Sequence, residues 1–182
     1  MFRFLARAVV SRSLAEPVPP LKAEDVDALA RRLQEVARER LGRGLTIRAA
    51  DAGSCNGCEL EIHALGNVYY DLERFGLRFT ASPRHADVLL VTGPVTVNMR
   101  EALERTWAAT PDPKWVVVAG ACGLDGGLFQ SGHGVVGGVG VVIPVDLFIP
   151  GCPPSPTRLL QGLLALLEVA DCAAPAGHAT AS

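Results

Sequence analysis

Four of the five cysteines in this chain have the spacing and the neighbours of iron–sulfur ligands. Cys55 and Cys58 form a Cys-x-x-Cys pair, and Cys122 and Cys152 follow 64 and 94 residues after Cys58. Glycines flank these positions, and Pro153 comes directly after Cys152. Cubane clusters take four thiolates, and a proline after a ligand recurs in such sequences. The pattern therefore favours a cubane cluster, and a protein that holds one transfers electrons.

The cysteines alone leave other chemistries open. Structural zinc sites usually combine two close cysteine pairs in a small domain, whereas this chain has one close pair and enough length for a core of its own. A redox dithiol or plain buried thiols would account for the Cys-x-x-Cys pair, but would leave Cys122 and Cys152 without a role. The cluster is favoured because it accounts for all four positions.

The bulk composition indicates one globular domain that does not bind nucleic acid. The chain has 182 residues, 49% of them hydrophobic, a formal net charge of −2 and a pI of about 6.1. Nucleic-acid binding usually leaves a basic footprint, and aromatic residues, which stack on bases, make up only 5%. An odd number of cysteines argues for a reducing compartment rather than a disulfide framework. Cys172 lacks the neighbours of the other four and is predicted to be a bystander thiol.

The sequence contains no predicted membrane span, because no stretch reaches the roughly 20 apolar residues that a span needs. Residues 1–10 mix apolar side chains with arginines and contain no acidic residue. Such a segment can lie in a membrane interface, serve as an organelle transit peptide or form a frayed terminus. The sequence leaves these alternatives open.

The chain divides into three parts by its patterns. Residues 1–44 are predicted as an N-terminal extension, with a proline-rich linker at 14–22 and an amphipathic helix at 24–41. Residues 45–170 are predicted as an iron–sulfur domain with a flavodoxin-like fold, and residues 171–182 as a flexible tail. The helix is charged on its remaining faces, so we expect it to pack on a partner or to cap the edge of the domain.

Strands alternate with helices from residue 45 onward, which is typical of a parallel sheet with helices on both faces. The expected α/β fold is flavodoxin-like, with strand order 2-1-3-4 and a fifth short strand. Each cysteine position follows a strand, so we expect the cysteines to meet at the carboxyl edge of the sheet, where open α/β sheets bind ligands. The predicted strands are 45–49, 77–81, 87–92, 115–119 and 145–149, and the predicted helices are 59–75, 98–107 and 155–169.

Four stretches of the chain, taken in order, resemble a known family. It is the small cluster-bearing subunit shared by respiratory complex I, where it is the 20 kDa subunit, and the membrane-bound, energy-converting nickel–iron hydrogenases. The resemblance runs from about residue 45 to 169, and it implies one 4Fe–4S cluster held by Cys55, Cys58, Cys122 and Cys152. The stretches are 51–61 (DAGSCNGCELE), 86–94 (ADVLLVTGP), 114–123 (KWVVVAGACG) and 143–154 (IPVDLFIPGCPP).

The spacing of the first two ligand cysteines distinguishes the branches of this family. Complex I subunits carry two adjacent cysteines there, whereas this chain has Asn56 and Gly57 between Cys55 and Cys58, which is similar to the formate-hydrogenlyase and energy-converting hydrogenase group. The resemblance implies an oxidoreductase subunit, not catalytic alone, that relays electrons between a large nickel–iron catalytic subunit and a ferredoxin-like subunit. The alternatives are a complex I-type quinone reductase small subunit, linked to NADH or ferredoxin and without nickel, and a non-redox binding domain with a structural metal.

The resemblance also implies where the protein works and with what. The expected partners are a large hydrogenase-like or complex I 49 kDa-like subunit, a ferredoxin-like iron–sulfur subunit and membrane subunits. The expected location is peripheral, at the cytoplasmic face of the inner membrane.

Two other features of the chain complete the predicted site. Glu61, three residues after Cys58, is a candidate for proton transfer with the large subunit, or else a carboxylate on a helix surface. Glu59 faces another way on that helix and is the weaker candidate. The glycine-rich loop 123–140 lacks the pattern of a phosphate-binding loop and is predicted to dock the large subunit.

Overall fold

The computed structural model describes residues 23–169. The predictions for residues 1–22, for Cys172 and for the C-terminal tail lie outside this part of the chain. No described helix is both long and apolar enough to cross a membrane. The strands are β1 (Thr46–Asp51), β2 (Arg78–Phe79), β3 (Val88–Thr92), β4 (Val95–Thr96), β5 (Trp115–Ala119), β6 (Val135–Gly137) and β7 (Leu147–Ile149). The helices are α1 (Ala23–Leu41), α2 (Gly57–Ala64), α3 (Val97–Ala109), α4 (Ala121–Asp125) and α5 (Pro156–Val169).

Five of the strands form one parallel sheet in the order β2-β1-β3-β5-β7. These strands lie at the five predicted positions, so the α/β fold class and the predicted strand order are confirmed. All residues of the central strand β3 are buried, as its continuous apolar run predicted. In the register, Leu90 of β3 lies between Ala49 of β1 and Val117 of β5.

Helices cover both faces of the sheet, as predicted. Successive residues of a strand point to opposite faces, so Leu90 packs in one core while Leu89 and Val91 pack in the other. The first core contains buried residues of α1, α2 and α5. The second contains Leu103 of α3 and apolar residues of the segment 139–143.

The amphipathic helix predicted over 24–41 is α1, and it packs along α5. Val26 and Leu33 of its apolar face are buried in the first core. Nη2 of Arg40 donates a hydrogen bond to the carbonyl oxygen of Glu168 at 3.0 Å. The helix therefore shares a core with the residues that follow it, and the predicted domain boundary stays a prediction.

The prediction of one long helix over 59–75 is wrong, because α2 ends at Ala64. Asn67 follows, and its side-chain oxygen accepts hydrogen bonds from the backbone N–H groups of Tyr69 and Tyr70 at 2.9 and 3.0 Å. Such a side-chain turn competes with helical hydrogen bonding. The chain therefore turns back toward β2 sooner than the apolar pattern indicated.

The glycine-rich loop predicted over 123–140 is not wholly irregular. Its strand β6 pairs antiparallel with β4, and the N–H of Val97 donates to the carbonyl oxygen of Gly134 at 2.9 Å. The pairing escaped prediction because β6 has only three residues and ends in a glycine. This second, small sheet joins the segment after Cys122 to the start of α3.

Candidate cluster-binding site

The four candidate ligands lie at one edge of the sheet, where the parallel strands β1, β5 and β7 end. Cys55 lies between β1 and α2, Cys58 is in the first turn of α2, Cys122 is in α4 directly after β5, and Cys152 follows β7. All four are free thiols, of which Cys55 and Cys152 are exposed and the other two partly buried. The strand order thus brings together cysteines that are distant in the sequence.

Backbone hydrogen bonds join the two segments that follow β5 and β7. The N–H of Gly120 donates to the carbonyl oxygen of Ile149 at 3.0 Å, and the N–H of Ala121 donates to the carbonyl oxygen of Gly151 at 2.8 Å. These bonds continue the β5–β7 pairing past the ends of the strands. They hold the two cysteine-bearing segments side by side.

The Cys-x-x-Cys loop packs against both of these segments. A Cβ atom added to Gly120 would lie 2.5 Å from Sγ of Cys58, so this sulfur lies against the backbone that follows β5. A Cβ atom added to Gly57 would lie 3.6 Å from Sγ of Cys55 and 4.0 Å from Cδ of Pro153. The first ligand loop therefore contacts the segment after β5 and the segment after β7.

Side-chain hydrogen bonds fold the Cys-x-x-Cys loop locally. Oδ1 of Asp51 accepts the N–H groups of Gly53 and Ser54 at 2.8 and 2.7 Å, and Oγ of Ser54 accepts the N–H of Asn56 at 3.0 Å. Asn56 has a φ of +69°, a left-handed conformation that asparagine tolerates better than most residues. The polar residues around Cys55 are thus explained by the turn that they form.

The four thiols also interact electrostatically. The pKa of Cys58 is raised to about 11, first by burial and then by the negative charges of Glu59, Cys55, Cys122 and Cys152. Burial also raises the pKa of Cys122, with Cys152 and Cys55 adding to the effect and backbone hydrogen bonds opposing it. Metal coordination would reverse this tendency, because a coordinated thiol is deprotonated.

The donor set consists of four thiols, which fits an iron–sulfur cluster. Four thiolates on one zinc ion, at about 2.3 Å each, would lie about 4 Å from one another. The described part of the chain contains no group of three or more His, Cys, Asp or Glu side chains arranged to hold one metal ion. Thiols alone, with backbone close to the sulfurs, are the donors that iron–sulfur clusters use. That these cysteines bind iron stays a prediction.

The two glutamates of α2 lie in different surroundings. Glu61, the predicted proton-transfer residue, is partly buried, and its role stays a prediction. Both carboxylate oxygens of Glu59 are buried without a hydrogen-bond partner among residues 23–169, and its charge raises the pKa of Cys58. Glu59 is therefore the glutamate that the structure couples to the site. The sequence contained one indication of this, the position of Glu59 directly after Cys58. The direction expected from helical periodicity favoured Glu61 instead.

An uncharged surface borders the site on the segment that follows Cys122. We use this name for residues 126–145, which contain no Asp, Glu, Lys or Arg, although such residues make up 20% of the chain. Leu128 is 90% exposed and Val141 is 70% exposed. Depletion of charged residues together with exposed apolar side chains is typical of the core of a protein interface. The uncharged surface therefore suits contact with another protein.

Comparison with known proteins finds relatives over most of the chain. Residues 55–166 match the family described as NADH ubiquinone oxidoreductase, 20 kDa subunit. The chain is 43% identical over 155 residues to formate hydrogenlyase subunit 7 of Escherichia coli (strain K12), and this alignment covers 84% of the chain and 59% of that protein. It is 45% identical over 128 residues to a probable membrane-bound hydrogenase subunit of Pyrococcus furiosus, covering 70% of the chain and 77% of that protein.

A solved structure has the same fold. It belongs to the membrane-bound sulfane sulfur reductase, an archaeal respiratory membrane complex, and superposes with a TM-score of 0.62 at 34% identity. The match covers 76% of this chain and 75% of that one. The family match includes all four candidate ligands, from Cys55 to Cys152.

Proposed function

The chain belongs to the NADH ubiquinone oxidoreductase 20 kDa subunit family, and from that membership we propose that it is the electron-transfer subunit of a membrane-associated, hydrogenase-type respiratory complex. Its family and relatives make it a subunit of an oxidoreductase complex. The alignment spans only 59% of formate hydrogenlyase subunit 7. The activity of that whole protein is therefore attributed to this chain only as part of the proposal.

One observation carries the proposal: four free thiols lie together at the carboxyl edge of the sheet, where β1, β5 and β7 end. We assign Cys55, Cys58, Cys122 and Cys152 as the ligands of one 4Fe–4S cluster. A bound cluster supplies one-electron transfer at this edge. The chain itself holds the four sulfurs, partly buries Cys58 and Cys122, and leaves Cys55 and Cys152 near the surface, where electrons can enter and leave.

The hydrogenase branch is supported by the first ligand motif and by the relatives. The Cys-x-x-Cys spacing matches that branch rather than the adjacent cysteines of complex I. Two relatives with 43% and 45% identity are named as a formate hydrogenlyase subunit and a probable membrane-bound hydrogenase subunit. In this assignment the large partner subunit holds nickel and iron, and this chain passes electrons between that centre and a ferredoxin-like subunit.

A respiratory complex without nickel is the second candidate. It is favoured by the structural match to the sulfane sulfur reductase, a complex named for sulfane sulfur rather than for hydrogen. In that case the cluster serves the same relay, and the large subunit reduces a sulfur compound or a quinone. The site of this chain is compatible with both, because it supplies only thiol ligands.

The proposed partners follow from the surface of the chain. We place the large subunit on the uncharged surface, since its exposed apolar residues lie on the segment that follows Cys122. The ferredoxin-like subunit and the membrane subunits complete the proposed complex, which binds peripherally at the cytoplasmic face of the inner membrane. Glu61 is proposed to assist proton transfer with the large subunit.

The first prediction tests the cluster with single substitutions in the purified complex. Replacing Cys55, Cys58, Cys122 or Cys152 with serine should remove the electron paramagnetic resonance signal of the reduced 4Fe–4S cluster, because each position supplies one of its four thiolates. Cys172→Ser is the matched control and should keep the signal and the acid-labile sulfide. A wild-type protein that contains zinc and no labile sulfide would contradict the assignment.

Metal analysis of the same complex separates the two candidate functions. Nickel that copurifies with the large subunit supports the hydrogenase-type complex. Iron and labile sulfide without nickel would instead support the nickel-free respiratory complex. The cluster assignment for this chain holds in both outcomes.

A further inference from the structure

Gly120 lies where β5 ends, and its backbone touches a sulfur that comes from a distant part of the chain. A Cβ atom at this position would lie 2.5 Å from Sγ of Cys58, 3.7 Å from the carbonyl oxygen of Gly151 and 3.9 Å from Cδ of Pro154. We propose that Gly120 is a positioning residue, whose missing side chain lets the sulfur of Cys58 reach the other three thiols. This inference rests on the proposed cluster, and it concerns a residue that the ligand pattern does not include.

The backbone conformation is the first reason for glycine at position 120. Gly120 has φ and ψ of +94° and 146°. This region is essentially restricted to glycine, and other residues pay strain energy to enter it. Conformation alone, however, would not connect Gly120 to the cluster site.

The contact with Cys58 is the second and independent reason. Real Cβ atoms essentially never approach another heavy atom to 2.5 Å, so an alanine here requires a shift of the sulfur or of the backbone. The backbone is held in place, because Gly120 N–H donates to Ile149 and Ala121 N–H donates to Gly151. The sulfur of Cys58 is therefore the atom that moves.

Gly57 provides an informative comparison, since it lies between the two cysteines of the pair. A Cβ atom there would lie 3.6 Å from Sγ of Cys55, which is an ordinary van der Waals contact, and its φ is not in the left-handed region. Position in the sequence makes Gly57 the more conspicuous glycine of the motif. The geometry instead requires glycine at position 120, which lies 62 residues after Cys58.

Gly42 provides the control for backbone strain. It has a φ of +66°, and a Cβ atom there would have no neighbour within 4 Å. Gly42→Ala therefore introduces left-handed strain without a clash, while Gly57→Ala introduces a side chain at the ligand loop without a clash. Gly120→Ala introduces both strain and displacement of a ligand sulfur.

The test compares these three variants in the purified complex. Gly120→Ala should lose iron to a chelator about 10-fold faster than wild type or more, on the order of the loss of metal affinity when the support of a ligand is disturbed, and should change the spectrum of the reduced cluster. Gly42→Ala and Gly57→Ala should keep the wild-type rate and spectrum. Wild-type rate, iron content and spectrum in Gly120→Ala would overturn the proposal.

A second measurement does not depend on iron. After the iron is removed with a chelator, the complex is treated with a maleimide, and each cysteine is quantified by mass spectrometry. Gly120→Ala should increase the labelling of Cys58 relative to Cys55, because the displaced sulfur leaves its contact with the backbone. An unchanged ratio, or an equal increase at all four cysteines that reports unfolding, contradicts the positioning role.

The two measurements also separate this inference from the proposed function. If no cluster signal of the wild-type complex depends on the four cysteines, the cluster proposal fails, while the labelling ratio still reports whether Gly120 positions Cys58. If the wild type holds a cluster and Gly120→Ala is unchanged in both measurements, the positioning role alone fails.

Discussion

Asp51 lies close to the cysteine pair, but its carboxylate accepts hydrogen bonds from the backbone. Its Oδ1 accepts the N–H groups of Gly53 and Ser54, and Ser54 in turn accepts the N–H of Asn56. An acidic residue beside candidate metal ligands suggests a ligand or a proton carrier when the sequence is read alone. At the scale of single residues, its function here is to shape the loop that presents Cys55.

Substitution of Asp51 should test this role. Asp51→Ala leaves two N–H groups without their acceptor, and because the site is exposed, water replaces part of the loss. We expect the free energy of unfolding to fall by about 1 kcal/mol, and iron loss to a chelator to accelerate, because the ligand loop is less ordered. Asp51→Asn keeps an acceptor oxygen and should behave close to wild type. Equal behaviour of the two variants would contradict the turn role.

The two glutamates of α2, Glu59 and Glu61, differ in a way that their spacing in the helix did not indicate. Helical spacing predicts different directions for the two side chains, but it does not show which carboxylate is enclosed. In the fold, the carboxylate oxygens of Glu59 are enclosed without a hydrogen-bond partner among the described residues. Burial depends on the elements that pack on α2, which residue spacing within the helix does not contain.

At the scale of elements, α5 closes the first core against β7 and α1. Gly162 of α5 lies against Ile149 of β7, and a Cβ atom there would lie 2.4 Å from Cδ1 and 2.6 Å from Cγ1 of that side chain. Ile149 is buried and carries the chain to Cys152 three residues later. The close approach of helix and strand at Gly162 therefore supports the segment that holds the fourth candidate ligand.

This packing predicts an unusual effect of a helix-favouring substitution. Alanine is normally better than glycine in a helix by about 1 kcal/mol, but overpacking a core typically costs about 1–3 kcal/mol. Gly162→Ala should therefore lower the unfolding temperature of the protein. Gln161→Ala, at an exposed position of the same helix, should stay within about 0.5 kcal/mol of wild type. A higher unfolding temperature for Gly162→Ala would show that the helix and strand can separate without loss.

The secondary-structure elements were predictable where their signal is local. The central strands β3 and β5 are continuous apolar runs, and β5 has the predicted bounds. The prediction of one helix over 59–75 was wrong because α2 ends at Ala64, and the side chain of Asn67 then accepts hydrogen bonds from the backbone of the turn that follows. The strand β6 was not predicted, because its partner β4 lies about 40 residues earlier in the chain. Such short strands are stabilised by pairing rather than by their own sequence.

At the scale of the whole molecule, the chain presents an uncharged surface beside the thiols. The segment folds onto the second core through Val139 and Ile143, while Leu128 and Val141 remain exposed. The buried residues hold the segment in place, and the exposed ones are available for a partner. This division supports docking by a formed surface, whereas the sequence alone indicated a glycine-rich loop.

A charged substitution should distinguish docking from folding. Leu128→Glu places a charge on a side chain that is 90% exposed, so we expect an unchanged unfolding temperature and binding to the large subunit that is weaker by about tenfold or more, as for a central interface residue. Gln161→Glu adds the same charge on α5, on the other face of the sheet, and should leave binding unchanged. Binding can be measured by copurification and titration. Equal binding by the two variants would remove the uncharged surface from the proposed interface.

The sequence by itself determined the family, the α/β fold and the four candidate ligands, because apolar runs and cysteine spacing are local signals that survive without a structure. The order of the strands followed from the alternation of elements, and it was sufficient to predict that the four cysteines share one edge. Only the tertiary structure decided which backbone lies against which sulfur. Gly120 and Cys58 meet because β1 and β5, which flank β3, end at the same edge of the parallel sheet and the loop after β1 packs against the residue that follows β5. Contact distances across a sheet depend on register and packing that no single segment encodes.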